Sequence, residues 1–307
     1  MKSELPFIQI YILSRDRYQS LIQTLESCLA IQYPNFEIIV SDNSTNEEVC
    51  AGLQNHPLKN RFKFIRRESL KYFNQHINLI KSEIVAPYFI LFHDDDLMLP
   101  NCLSVYSEIM IANPSVGACA GNTKMIYRGV KSENLYSTLR NVKILCNSDD
   151  FLRSYYGESH GHPPFPFYMY RTEVVRGIDV IYQEGLIHSD GPFIFKIMKK
   201  AGIVWSPEIV GYYHIHETNI SRLINIRALN SMYHFYLKQT GDRQKVVYRY
   251  LYRNRLRYYM QNRGKFVSFL SHSRKRKLII LTFLFVIKNC NFYFRKLISR
   301  GRHRGKN

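Results

Sequence analysis

Short apolar runs alternate with amphipathic segments through the first hundred residues of this chain. Four such runs are rich in β-branched and aromatic residues, and they cover residues 7–13, 36–40, 62–65 and 88–92. The segments between them carry apolar residues at helical spacing. Continuous apolar strands that alternate with helices are typical of a sheet covered on both faces. The pattern therefore predicts an α/β domain with a doubly wound, mostly parallel sheet.

The second half of the chain carries weaker patterns. Residues 203–207 and 210–214 are predicted to be two short strands, and residues 192–200 a helix. Residues 128–160 give no clear pattern beyond a loop with a short helix. We expect these elements to complete the same domain.

Polar residues follow three of the predicted strands at the point where each strand ends. They occupy residues 14–17, 41–45 and 93–96. Because open α/β sheets bind ligands beyond the carboxyl ends of their strands, we expect the three loops to face one crevice. The chain has neither a G-x-G-x-x-G dinucleotide motif nor a P-loop sequence.

The third loop places three carboxylates, Asp94, Asp95 and Asp96, between a buried strand and a helix predicted to start within residues 97–100. Two carboxylates about 4 Å apart repel each other by about 4 kcal/mol at an effective dielectric constant of about 20. A bound cation offsets this repulsion, and hard oxygen ligands suit Mg²⁺ or Mn²⁺. An isolated acidic triplet is more often a solvated loop, but its position after a buried strand favours a metal site.

Three further segments contain candidate site residues. Asp42 follows the second strand, where it can bind a base or ribose or form an Asx turn. Asp190 precedes a predicted helix as either a general base or an N-cap. His214 and His216 share one face of an extended segment, where either can complete a metal site, although a lone histidine is more often structural.

The order of these segments resembles the large inverting glycosyltransferase family with the GT-A fold, often called family 2. The segments that carry the resemblance are YILSRDRYQSLIQTLES, VSDNST, FHDDDLMLP, HSDGPF and YYHIHETNIS, within about residues 5–225. The resemblance implies a GT-A α/β fold. It also implies transfer of a sugar from a nucleoside-diphosphate sugar, with UDP the expected carrier, to an acceptor hydroxyl.

The resemblance also implies roles for individual residues. Asp42 would bind the nucleobase or ribose, Asp95 would be the main metal and diphosphate contact, and Asp190 would be the base of a single inverting displacement. The complete predicted site is catalytic Asp190; donor-binding Ser14, Arg15, Asp42, Asp94 and Asp95; and metal-binding Asp95, Asp96 and His216. The metal is expected to be Mn²⁺ or Mg²⁺.

The chain departs from the family pattern at two positions. His93 stands where the first Asp of the D-x-D motif often lies, so the register of the metal ligands is open by one residue. Ser189 stands where an acidic residue often precedes the base. The role of general base requires only Asp190.

Basic charge is concentrated at the C-terminal end. Residues 226–307 hold 21 of the 43 Lys and Arg residues but one of the 24 acidic residues, which gives them a net charge of +20. We predict a GT-A domain over residues 1–225 and a basic helical appendage over residues 226–307. The apolar run 278–287 would form a helix about 15 Å long, too short for a hydrocarbon core of about 30 Å. Its basic flanks favour an anchor over about residues 274–298 on an anionic membrane surface, with a buried core helix as the alternative.

The same patterns suggest a cellular setting. No apolar leader follows the N-terminus, and the six cysteines include no C-x-x-C pair, so we expect a cytoplasmic protein on the inner face of the cell membrane. The expected role is in cell-surface polysaccharide synthesis, with a glycan or lipid-linked saccharide as the acceptor. Residues 162–170, rich in aromatics, are predicted to line the acceptor side, although ordinary core packing explains each ring equally well.

Parts of the sequence also suggest two other functions. Basic residues interleaved with aromatics also occur in nucleic-acid-binding proteins, so the alternative is a metal-dependent protein that binds nucleic acid and performs phosphoryl transfer. The nearly neutral first 225 residues argue against it, and no nucleic-acid partner is expected. A nucleotidyltransferase that makes the activated sugar usually has a glycine-rich loop after the first strand, and residues 14–17 contain no glycine.

Overall fold

A computed structural model describes residues 5–68, 70, 73–127, 129–156, 161–178, 189–215, 226–241 and 245–261. The chain divides into two compact units, residues 1–250 and 251–307. Of the second unit, residues 251–261 are described and are helical. The predicted division at residue 225 stays a prediction. The predicted anchor over residues 274–298 lies outside the described residues.

The elements alternate between strands and helices over the first hundred residues, as predicted. The strands are β1 (Ile8–Ser14), β2 (Phe36–Asp42), β3 (Lys63–Arg66), β4 (Tyr88–His93), β5 (Leu97–Met98), β6 (Ala118–Tyr127), β7 (Val130–Leu135), β8 (Lys143–Leu145), β9 (Tyr168–Arg171) and β10 (Ile203–Ile215). The α-helices are α1 (Tyr18–Leu29), α2 (Glu48–Gln54), α3 (Phe73–Glu83), α4 (Cys102–Ala112), α5 (Ser148–Tyr155), α6 (Thr172–Arg176), α7 (Asp190–Ala201), α8 (Ile226–Thr240) and α9 (Lys245–Gln261).

In the described part of the chain, ten strands form one sheet. Eight follow the order β3-β2-β1-β4-β9-β6-β10-β5, while β7 pairs with β6 and β8 pairs with β10. Strands β1 to β4 are mutually parallel, as predicted, and β10 is parallel to β6. Strand β9 runs antiparallel to both β4 and β6 and joins the two parallel groups. The prediction of an α/β fold with a mostly parallel sheet is confirmed.

Strand β1 lies inside the sheet, between β2 and β4, and packs in the hydrophobic core. All seven residues of β1 are buried, because the sheet is covered on both faces. Ile8, Ile10 and Ile12 belong to the same core cluster as Leu21 and Leu25 of α1. The helical spacing of the apolar residues in α1 thus directs one face of the helix onto the sheet.

Two predictions for the second half were wrong in detail. Residues 203–215 form one strand, β10, whose register with β6 shifts between Trp205 and Ile209. Residues 130–135 and 143–145 are strands rather than loop, because each pairs with a strand distant in sequence.

The residues after the acidic loop also differ from the prediction. Leu97 and Met98 form strand β5, which pairs antiparallel with Gly211 and Tyr212 of β10, and helix α4 begins only at Cys102. A β-carbon added at Gly211 would lie 2.4 Å from the Leu97 carbonyl oxygen. Glycine at this position therefore allows β10 to hold the acidic loop close to the sheet.

None of the helices in the described ranges is long and apolar enough to cross a membrane.

Candidate active site

The three polar loops meet at the carboxyl ends of β1, β2 and β4. Ser14 is the register partner of Asp42, and Leu13 is the register partner of His93. The backbone amide of Asn43 donates to the Ser14 carbonyl oxygen at 3.0 Å. The backbone amide of Arg15 donates to Asp94 Oδ2 at 3.0 Å. The fold thus brings together residues that the sequence placed in separate loops.

Asp42, in the second loop, is fully buried. Its Oδ1 accepts hydrogen bonds from the Ser44 backbone amide at 3.2 Å and from the Ser44 hydroxyl at 2.5 Å, which is an Asx-turn arrangement. Its Oδ2 accepts from the Arg66 guanidinium. Contact between Asp42 and a base or ribose stays a prediction. Arg66, which the sequence did not single out, lies between Asp42 and the more exposed Glu47.

The first loop is tied to the second by Asp16. This residue has a φ of 55°, in the left-handed region that asparagine and aspartate adopt more readily than most residues. Its Oδ1 accepts a hydrogen bond from the Thr45 backbone amide at 2.7 Å. Its own amide donates to the Ser44 hydroxyl at 2.7 Å. The two loops therefore form one hydrogen-bonded unit.

Arg17 partly neutralises the acidic loop. Its Nη1 donates to Asp95 Oδ2 at 2.6 Å and to Asp94 Oδ1 at 3.2 Å. Burial raises the pKa of Asp94 to about 7, while the positive charge of Arg17 acts in the opposite direction. Arg17 was not among the site residues predicted from the sequence.

Asp96 is the most buried of the three carboxylates. Its Oδ1 accepts from the His214 backbone amide at 2.8 Å, and its carbonyl oxygen accepts from the Thr24 hydroxyl at 2.9 Å. Its Oδ2 is buried and makes no hydrogen bond within the described part of the chain. The distance from this oxygen to His93 Nδ1 is 4.0 Å. Burial, and next the charge of Asp95, raises the pKa of Asp96 well above its usual value. A buried carboxylate oxygen that accepts no hydrogen bond is well suited to coordinate a cation.

A set of three side chains can hold a metal here. His93, Asp95 and Asp96 each offer one ligand atom, and these atoms lie within 4.8 Å of one another. Carboxylate oxygens suit Mg²⁺ and Mn²⁺, and imidazole nitrogen also binds transition metals. His93, a departure from the family pattern, is thus part of the cluster. His216, the third predicted metal ligand, lies outside the described residues.

Asp190 is the first residue of α7, and Ser189 occupies the N-cap position without a capping side-chain hydrogen bond. Asp190 is partly buried and partly exposed. Burial raises its pKa to about 6. A carboxylate with this pKa is ionised at neutral pH and is a stronger base than a solvated aspartate.

Two tyrosines lie near both the acidic loop and Asp190. The rings of Tyr136 and Tyr213 pack edge to face with centroids 5.0 Å apart. Burial, followed by the negative charges of Asp190 and Asp96 among other groups, raises the pKa of Tyr136 to about 12. Burial together with the same two carboxylates also raises the pKa of Tyr213. Asp96 and Asp190 therefore belong to one region of the molecule, and both tyrosines were missed as site residues.

The aromatic segment 162–170 divides into two parts. Phe167, Tyr168 and Tyr170 are fully buried in the core. His162 is partly exposed and stacks on Tyr155 with centroids 3.8 Å apart. The rings of Phe165 and His93 have centroids 6.0 Å apart. An acceptor-lining role stays a prediction, and it concerns the partly exposed His162, because Phe165 is also buried.

Solved structures share this architecture. Residues 1–349 of S. aureus TarS, in complex with UDP-GlcNAc, match with a TM-score of 0.60 and 15% identity, covering 83% of this chain and 73% of that one. The mannosyltransferase PcManGT from Pyrobaculum calidifontis, in complex with GDP-Man and Mn²⁺, matches with a TM-score of 0.60 and 10% identity, covering 97% and 84%. At these identities the likeness shows the fold. No curated protein sequence matches the chain significantly.

The family is established by the sequence itself. The profile of Glycosyl transferase family 2 matches residues 9–176, more than half of the chain. This range contains the three loops and the clustered His93, Asp95 and Asp96. The chain belongs to glycosyl transferase family 2, has the GT-A fold, and is a glycosyltransferase.

Proposed function

We propose that this glycosyltransferase is metal-dependent and inverting. It moves a sugar from a nucleoside-diphosphate sugar to a hydroxyl of a glycan or lipid-linked acceptor. This proposal rests on a metal-binding cluster and a candidate general base that occur together in the chain. One is the cluster of His93, Asp95 and Asp96, with a buried carboxylate oxygen of Asp96 that lacks a hydrogen bond among the described residues. The other is Asp190, a partly exposed carboxylate with a pKa of about 6.

The donor binds at the carboxyl ends of β1, β2 and β4, where Ser14, Arg15, Asp42, Asp94 and Asp95 were predicted to contact it. The buried Ser14 hydroxyl makes no hydrogen bond within the described ranges, which leaves it available to a polar ligand. The Arg15 side chain is 43% exposed and adds positive charge beside the loop. One similar structure holds UDP-GlcNAc and another GDP-Man, and UDP is the carrier proposed here.

Asp95 and Asp96 would hold the metal, with His93 as a nitrogen ligand. His216 remains a proposed ligand from outside that part of the chain. A divalent cation at this position would offset the negative charge that develops on the departing diphosphate. Mn²⁺ accompanies GDP-Man in the similar mannosyltransferase, and either Mn²⁺ or Mg²⁺ suits this ligand set.

Asp190 accepts the proton of the acceptor hydroxyl. The deprotonated oxygen attacks the anomeric carbon on the face opposite the diphosphate. The new glycosidic bond forms as the bond to the diphosphate breaks, so the anomeric configuration inverts and no sugar is held covalently by the protein. Its pKa of about 6 leaves Asp190 mostly ionised near pH 7, which a general base requires.

The acceptor approaches along the aromatic side of the site. The partly exposed ring of His162 offers a face on which a sugar can stack. The +20 charge of residues 226–307 supports a lipid-linked acceptor on an anionic, cytoplasm-facing membrane surface, and hence a role in surface polysaccharide synthesis. Family membership favours this function over the nucleic-acid alternative.

Donor hydrolysis tests the proposed chemistry without an identified acceptor, because water can replace the acceptor hydroxyl. The protein is incubated with Mn²⁺ and either UDP-GlcNAc or GDP-Man, and proton NMR follows the anomer of the sugar first released. Release of the inverted anomer is expected, with Asp190→Asn at least about a hundredfold slower. The control is Asp149→Asn, which alters an exposed carboxylate of α5 paired with Arg153. Release of the retained anomer, or equal rates in Asp190→Asn and the control, would refute this mechanism.

A further inference from the structure

Arg17 lies at the N-cap position of α1 and shares one nitrogen between two carboxylates. Its Nη1 contacts Asp95 Oδ2 at 2.6 Å and Asp94 Oδ1 at 3.2 Å. The Arg17 side chain is 48% exposed, whereas Asp94 and Asp95 are 6% and 14% exposed. The guanidinium thus covers the acidic loop from the solvent side and can leave it without crossing packed protein.

Asp95, which Arg17 binds, also belongs to the metal cluster. Asp95 offers a ligand atom within 4.8 Å of those of His93 and Asp96. A divalent cation on this carboxylate would stand close to the guanidinium, and the two positive charges would repel each other at short range. Asp96 Oδ2, which has no hydrogen-bond donor among the described residues, would remain available to the metal.

We infer that Arg17 and the divalent cation compete for Asp95, and that the displaced guanidinium binds the diphosphate of the donor. This inference rests on the proposed function, since it needs a metal and a diphosphate at the same loops. A guanidinium forms paired hydrogen bonds with phosphate oxygens as readily as with a carboxylate. Arg17 thus binds carboxylates before the donor arrives and the diphosphate afterwards.

The competition makes the binding of metal and donor interdependent. Metal alone must displace Arg17 from Asp95 without giving it a new partner, which lowers the affinity of the loop for the metal. Metal together with a nucleoside diphosphate gives Arg17 a new partner, which raises the affinity of each ligand for the complex with the other. The loop would therefore take up its metal mainly together with the donor.

Two titrations of Arg17→Gln test this inference. In the first, Mn²⁺ alone is added to the full-length protein, and calorimetry or water proton relaxation gives the affinity. In the second, the nucleoside diphosphate that binds the wild type, UDP or GDP, is added at saturating Mn²⁺. We expect Arg17→Gln to bind Mn²⁺ alone about tenfold more tightly and the nucleotide about tenfold more weakly, each corresponding to about 1.4 kcal/mol.

The two affinity changes expected for Arg17→Gln have opposite signs, which distinguishes this role from a structural one. If Arg17 only supports the loop, Arg17→Gln would weaken both affinities, and that result would overturn the inference, as would an unchanged affinity for Mn²⁺ alone. Arg17→Lys keeps the charge and should leave the affinity for Mn²⁺ alone near that of the wild type. Arg153→Gln removes an arginine from an exposed ion pair on α5 and should change neither affinity.

The two proposals fail in different ways. If the wild type binds neither UDP nor GDP at any Mn²⁺ concentration, the proposed function is wrong. If the wild type binds one of them but Arg17→Gln leaves Mn²⁺ affinity unchanged, the proposed function stands and the competition is wrong.

Discussion

The hydroxyl oxygens of Tyr156 and Tyr236 lie 2.8 Å apart, although 80 positions separate the two residues in sequence. Tyr156 follows α5, and Tyr236 belongs to α8. Both hydroxyls also face Gly191, the residue after Asp190. A β-carbon at Gly191 would lie 2.5 Å from the Tyr156 oxygen and 3.1 Å from the Tyr236 oxygen. This tyrosine pair therefore forms part of the packing that fixes the start of α7, and with it Asp190.

Replacement of Gly191 by alanine tests this packing. The added methyl group must displace at least one tyrosine, and overpacking of this kind costs about 1–3 kcal/mol of unfolding free energy. We also expect slower donor hydrolysis, because Asp190 moves with its neighbour. Urea denaturation and the NMR assay measure the two effects.

Gly177→Ala is the matched control for that substitution. A β-carbon at Gly177 would meet the end of the Lys200 side chain, which can move aside at little cost. If Gly191→Ala proves as stable and as active as Gly177→Ala, the tyrosine pair does not position Asp190.

The pH dependence of activity follows from the environment of Asp190. Burial raises its pKa to about 6, and only the ionised form can accept a proton from the acceptor. kcat/KM should therefore rise with pH through about 6, and should fall about tenfold for each pH unit below it. Nucleotide affinity measured at each pH separates this effect from donor binding. A profile that stays flat between about pH 5 and 7 would exclude Asp190 as the base.

A buried histidine should make the protein acid-labile. His76 Nε2 lies 2.7 Å from the Ser41 hydroxyl. Burial, and next the charge of Arg67, lowers the pKa of His76 to about 4. An unfolded histidine has a pKa of about 6.5, so between about pH 6.5 and 4 the unfolded chain takes up a proton that the native chain does not. Stability is unaffected by this group above about pH 6.5 and falls by up to about 3 kcal/mol as the pH drops through that window.

His76→Gln removes this titration and keeps a side chain that can bond Ser41. Urea denaturation at several pH values should show a shallower loss of stability on the acid side than in the wild type. His162, whose pKa burial also lowers to about 4, contributes in the same direction and remains in the variant. The same acid-side slope in both proteins would rule out His76 as a source of the acid lability.

The parallel half of the fold could be predicted because each of its strands is a continuous apolar run. Strand β10 was predicted as two strands because Pro207 and Glu208 interrupt its apolar pattern, whereas the chain passes them with a shift of register. The pairing of Leu97 and Met98 with β10 depends on a partner more than a hundred residues away, and no local pattern signals it. Long-range pairing therefore accounts for most of the error.

The candidate site could likewise be predicted where a local pattern signals it, but not where it depends on long-range contacts. Three carboxylates after a buried strand indicated the acidic loop directly. Arg17 gave no signal, because a loop arginine is usually solvated and its partner Asp94 lies 77 positions away. Tyr136 lies in a stretch without periodicity, so its closeness to Asp96 and Asp190 appears only in the folded chain.

Calorimetric titration of the purified protein with UDP and GDP, with and without Mn²⁺ and repeated on Asp95→Ala, tests whether the acidic loop binds a nucleotide through a metal. Asp149→Ala serves as the control for loss of an exposed carboxylate. We predict that one nucleotide binds only with Mn²⁺ present, that Asp95→Ala abolishes this binding, and that Asp149→Ala leaves it unchanged. Two results would contradict the proposal that a metal holds the nucleotide-sugar donor at this loop. One is that the folded wild type binds neither nucleotide in the presence of Mn²⁺, and the other is that Asp95→Ala binds as well as the wild type.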